Sequence, residues 1–261
     1  MCIENGKKQD NKNDCYIIIQ KSIWEYFAHK NIMYNKKETP EDTIENFLLH
    51  LYKLIPVCKR KVHYSKELHN KIDKLEITKE HNDNLRFFEN LFADGKDMTG
   101  FLSNNVNNLK KPDLLLYTWN IFHLHLSKKH VENTGQMKNN RSKVQLLCII
   151  TPQDVFFIDI INHPHKAYEY FDKRYLEIIA NNGWMREIGF EELEDIIPET
   201  LEPKIEEPKA IFELISCYHL NLCFELQGKV YAPLKTINSN GKPYDVIETL
   251  MFINKYIHKL I

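Results

Sequence analysis

Two apolar runs, VQLLCII (Val144–Ile150) and VFFIDII (155–161), are separated by only four residues, TPQD. Both are rich in Val, Ile, Leu and Phe, and so short a polar connection between β-prone runs predicts a β-hairpin. Upstream, WNIFHLHL (119–126) alternates. Phe122, Leu124 and Leu126 point one way and His123 and His125 the other, which predicts a third strand. Downstream, Tyr168, Phe171, Tyr175 and Ile178 share one side of an expected helix over 166–180. Leu85, Phe88 and Phe92 mark a helix over 80–92 that Gly95 can stop. A second short helix over 98–102 completes a helical hairpin. The expected fold is therefore α+β: a helical hairpin, then a twisted antiparallel sheet, over residues 81–185.

The flanks extend this domain. Residues 1–14 are polar and read as a mobile tail, and 15–80 as a mainly helical region. Its clearest helix starts at Thr39, with Pro40 in first position and Asp42 able to reach back to the cap. Residues 186–207 hold nine acidic and two basic residues, with Pro198, Pro203 and Pro208 spacing the segment. An acidic Pro-containing linker is expected over 186–210, able to shield a basic face as a phosphate mimic. Residues 211–261 read as a C-terminal β-hairpin, turning at Gln227-Gly228, and a closing helix carrying Val246, Leu250, Ile253 and Ile257.

Composition excludes several classes. The net charge of −1 gives no overall basic surface. No apolar stretch is long enough to span a bilayer, and the first fourteen residues lack the apolar core of a signal peptide. A cytoplasmic protein without membrane partners is expected. The six cysteines form no CxxC pair, so a zinc ribbon is not expected, and most read as reduced, buried, small apolar residues.

The histidine pair carries the chemistry. On a strand, His123 and His125 sit about 7 Å apart on the face opposite the apolar one, so an open, wet face is expected. Three readings stand: two histidines on a half-exposed strand, acid–base catalysis near neutral pH, or a His-x-His metal site with His130 and Asp159 as further ligands. From Asn108 to Gln145 seven Lys or Arg (including Lys128, Arg141 and Lys143) face only Asp113 and Glu132. A cationic neighbourhood favours phosphate over a divalent metal. The segment Asn162-His163-Pro164-His165 ends the third strand, where His163 can join the same face.

The order of helical hairpin, strand NIFHLHL, loop with Arg141, strand VQLLCII, tight turn and strand VFFIDIINH resembles the RelE/ParE/HigB-type toxin fold, over about residues 81–180. The resemblance implies a metal-independent ribonuclease without a cofactor. It implies RNA or the ribosome as substrate, no DNA specificity, and an inhibitory antitoxin as partner. It points to His123, His125 and His163 as catalytic and to Arg141, Lys143 and Lys128 as phosphate-binding. The N-terminal helices, the acidic arm and the C-terminal segment have no counterpart in a minimal toxin. That leaves a non-catalytic RNA- or protein-binding module on the same scaffold as the alternative. His63-Tyr64-Ser65 and His125-Leu126-Ser127 also resemble the paired His-x-Ser motifs of 2H phosphoesterases.

Overall fold

The structure is a computed structural model that describes residues 2–127, 142–201, 204–234 and 237–259. In chain order the elements begin with α1 (Cys2–His29), α2 (Pro40–Tyr52), β1 (Lys61–Tyr64), α3 (Lys66–Asp73) and α4 (Lys79–Asp94). Then come α5 (Leu114–Trp119), β2 (Phe122–His125), β3 (Val144–Ile150), β4 (Asp154–Asn162) and α6 (Arg174–Asn181). The chain ends with β5 (Phe190–Glu192), α7 (Pro208–Tyr218), β6 (Phe224–Leu226), β7 (Lys229–Pro233) and α8 (Tyr244–Lys259). The protein is α+β, as expected, and it divides into two compact units.

The first unit contains α1, α2, α8 and the segment 104–112. Tyr16, Ile23, Phe27, Ile32, Ile44 and Ile257 form its core, with Leu109, Leu250 and Ile253 packed around them. The predicted start of α2 is present: the Thr39 hydroxyl accepts the Asp42 amide at 3.1 Å and donates to the Asp42 carboxylate at 2.8 Å. α1 is helical from Cys2, through the stretch expected as a tail. The distant segment 104–112 is held by two buried side chains of α2 and its cap. The Lys53 ammonium donates to the carbonyls of Asn105 and Asn108 at 3.2 and 2.9 Å, and His50 Nδ1 lies 3.1 Å from the Val106 carbonyl. A carbonyl only accepts, so His50 carries its proton on Nδ1.

The second unit holds two sheets. The larger has the order β1-β4-β3-β2. The predicted hairpin is β3–β4, closed by Thr151, whose hydroxyl accepts the Asp154 amide at 3.0 Å. β2 pairs antiparallel with β3, but the edge strand β1 runs parallel to β4, so the sheet is mixed rather than wholly antiparallel. Parallel pairing needs a crossover, and the helices between β1 and the meander supply its length. The predicted strand 119–126 is shorter, because Trp119 still belongs to α5 and Asn120, at φ 51°, turns the chain into β2. The expected helix over 166–180 is a 3-10 turn (Ala167–Phe171) followed by α6. The short helix expected over 98–102 is a single 3-10 turn.

Both faces of the larger sheet are covered. On one, Phe92 of α4 meets Phe157 at 6.1 Å between ring centroids; on the other, Trp184 meets Phe156 at 5.0 Å. The second sheet, β5-β7-β6, explains the acidic stretch. Ile188 and Phe190 are buried there, and β5 pairs with β7. The start of the expected linker is thus core, because its apolar residues fall between the acidic ones. The C-terminal region divides: β6 and β7 belong to this unit, whereas α8 belongs to the first.

Candidate functional site

Strand register assembles the candidate site. His123 pairs with Leu147, which pairs with Asp159; His125 pairs with Gln145, which pairs with Ile161. Cross-strand partners share a face, so both histidines stand on the face that carries Gln145, Leu147 and Asp159. His163 follows β4, its amide donating to the Lys143 carbonyl. Its ring stacks on that of His125, with centroids 5.6 Å apart and planes at 21°. His125 and His163 therefore meet where β2 ends and β3 begins, beside exposed Lys143, and His123 stands two residues back along β2 on the same face.

The face is not open, and here the sequence expectation fails. His125 is 6% exposed, and Gln145 and Asp159 are fully buried. One later and one earlier element supply the cover. Tyr170, from the 3-10 turn before α6, donates its hydroxyl to Gln145 Oε1 at 2.7 Å, and its ring lies 5.1 Å from that of His123. Lys71 of α3 places its ammonium 2.7 Å from both Asp159 oxygens. Burial pushes the Tyr170 phenol up to about 12, the Gln145 bond opposing and the Asp113 charge adding to the shift. It works as a neutral donor at any ordinary pH.

The histidine protons follow from their partners. His125 Nδ1 lies 3.1 Å from the Ser142 carbonyl and His163 Nδ1 lies 2.8 Å from the Pro164 carbonyl. Both nitrogens must be donors, which leaves Nε2 as the basic position of each neutral ring. His123 Nδ1 is buried, makes no hydrogen bond, and lies 3.8 Å from Asp113 Oδ2. Gln145 Nε2 is also buried without a hydrogen bond. Sequence reading missed Asp113, Gln145 and Tyr170. The signals were an acidic residue before the apolar run LLLYTW, the one polar residue inside VQLLCII, and a tyrosine within the expected helix over 166–180.

Other expected residues separate. Arg141, Lys128 and His130 lie outside the described residues. Asp159, a supposed metal ligand, is committed to Lys71. Among the described residues, no group of three or more His, Cys, Asp or Glu is placed to hold a metal ion, and no helix is long and apolar enough to cross a membrane. The two His-x-Ser motifs stand on opposite edges of the sheet, three strand spacings or about 14 Å apart. Ser65 is spent as the cap of α3, accepting the Leu68 amide at 2.9 Å and donating to the Ile158 carbonyl at 2.6 Å. His63 instead pairs with Asp154 at 2.7 Å and stacks on Phe156. That geometry does not put two histidines on one phosphate.

No family model matches the chain, and no curated protein or solved structure was found to match it.

Proposed function

We propose that the chain is a metal-independent ribonuclease, a toxin-like or defence effector, that cleaves RNA by attack of the ribose 2′-hydroxyl. The observation that carries this reading is the convergence of His123, His125 and His163 on one sheet face beside Lys143. The order of helices followed by an antiparallel β2–β3–β4 meander supports the toxin-like scaffold. One neutral imidazole takes the 2′-hydroxyl proton, and the 2′-oxygen attacks the adjacent phosphorus. The bond from phosphorus to the 5′-oxygen breaks, and a second, protonated imidazole delivers its proton to that oxygen. A 2′,3′-cyclic phosphate and a 5′-hydroxyl result. Lys143, with Arg141 and Lys128, would carry the added phosphate charge. RNA or the ribosome is the substrate, and an inhibitory antitoxin is the partner.

A second reading, a non-catalytic RNA- or protein-binding module, is favoured by the burial of His125 and by the Tyr170 ring over His123. Incubating the purified chain with mixed RNA in EDTA separates the two. Cleavage that falls about 10²–10⁴-fold in His163→Ala and in His123→Ala/His125→Ala, with unchanged circular dichroism, supports the enzyme. Undiminished cleavage in these variants overturns the site. Retained RNA binding without cleavage supports the module, and activity only with added divalent ions supports a His-x-His metal-dependent hydrolase.

A further inference from the structure

His123 is the member of the cluster whose Nδ1 has no carbonyl to donate to. Its side chain is 13% exposed, and its Nδ1 is buried without a hydrogen bond. A buried ring nitrogen left unmatched is costly, so the groups around it matter. His125 lies two residues along β2, Gln145 and Leu147 lie on β3, and the Tyr170 ring covers the site. Asp159 sits beyond Leu147 in the same cross-strand row and is already paired with Lys71. Among the described residues, Asp113 is the carboxylate that approaches His123. Its Oδ1 accepts the Leu116 amide at 3.2 Å as the cap of α5, which anchors the side chain. Its Oδ2 is then turned towards His123 Nδ1, 3.8 Å away. Catalytic hydrogen bonds are often this long in a free protein and tighten when substrate binds.

We propose, on the reading of this cluster as a proton-transfer centre, that Asp113 is a positioning residue for His123. Its carboxylate holds the His123 proton on Nδ1 and makes Nε2 the nitrogen that takes the 2′-hydroxyl proton. The arrangement follows the general logic of a carboxylate that fixes an imidazole tautomer and stabilises the imidazolium that forms. It also matches His125 and His163, whose Nδ1 protons are held by backbone carbonyls. All three rings then present the same nitrogen.

The test is Asp113→Asn, studied in the full chain. Asn caps a helix as well as Asp does, so α5 keeps its cap while the charge is lost. The amide can turn its NH2 towards Nδ1 and favour the opposite tautomer. Long-range ¹H–¹⁵N spectra of the imidazoles read this directly. The expected result is an Nδ1–H tautomer at His123 in the native chain and a predominantly Nε2–H tautomer in Asp113→Asn, reversed by Asp113→Glu. In RNA cleavage, kcat is expected to fall about 100-fold or more with KM within about twofold. An Nε2–H tautomer in the native chain, or one unchanged by Asp113→Asn, overturns the proposal. Should the native chain cleave no RNA, the spectra still decide whether Asp113 orients His123. The orientation then stands or falls alone, while the ribonuclease reading is lost.

Discussion

Removing Lys71 tests what holds the histidine-bearing face together. Its ammonium lies 2.7 Å from both oxygens of Asp159, whose side chain is 2% exposed, while that of Lys71 is 36% exposed. At an effective dielectric constant near 20, the attraction at this distance is roughly 6 kcal/mol. Desolvation of the carboxylate offsets most of it. Removing one partner of a fully buried pair costs about 3–5 kcal/mol. The ammonium is partly wet, and Asp159 keeps the Ile160 amide at 2.9 Å. We therefore expect Lys71→Met to cost less than a fully buried pair would, about 2–3 kcal/mol. Lys71→Met/Asp159→Leu removes both charges and should return to within about 1 kcal/mol of the native protein. Two compact units need not unfold together, so the measurement is urea dependence of amide exchange in β3 and β4. Lys71→Met losing less than about 0.5 kcal/mol would refute the reasoning. So would a double variant as unstable as the sum of the two single changes.

Three further outcomes are expected. Burial holds His50 below the usual imidazole range; the Val106 carbonyl opposes this and the Lys53 and Lys30 charges add to it. The unfolded chain then binds the proton more tightly, so α2 should keep full protection above about pH 6.5 and lose it as pH falls through the lower folded value. His50→Gln should flatten that slope in pH-dependent amide exchange. Tyr170→Phe leaves Gln145 Oε1 buried without its donor and should cost about 1–3 kcal/mol in denaturant unfolding, most of it regained by adding Gln145→Leu. At Gly95, with φ +68°, an added Cβ would meet Lys59 N at 2.8 Å and the Cys58 carbonyl carbon at 2.9 Å. Gly95→Ala should cost about 2–4 kcal/mol, whereas Gly183→Ala, with φ +73° and nothing within 4 Å, should cost about 1 kcal/mol.

Local signals in the chain translated well into local structure. The Thr39-Pro40 start of α2, the Gly95 stop of α4, the β3–β4 hairpin and the Gln227-Gly228 turn each depend on a few adjacent residues. Grouping depended on distant ones. Nothing near Asn105 shows that a lysine over fifty residues earlier will bind its carbonyl. Nothing near Tyr244 shows that α8 will pack with α1 and α2 rather than with the β-hairpin before it. The acidic stretch misled for a related reason. Nine carboxylates dominate the composition of the stretch, yet the buried Ile188 and Phe190 decide where the backbone goes.

The site shows the same division more sharply. Alternation in FHLH told which residues share a face, and the register confirms that His123 and His125 do. Alternation says nothing about what lies over that face. Tyr170 reaches it from 47 residues beyond His123, and Lys71 from 52 residues before. Their presence changes the chemistry, because a covered imidazole needs a fixed partner for each nitrogen, whereas a wet one can use water. His125 and His163 find backbone carbonyls. Among the described residues, His123 Nδ1 faces Asp113, ten residues upstream and brought back by the turn at Asn120. Asp113, which the charge count merely set against the basic segment, is therefore the carboxylate that stands beside His123.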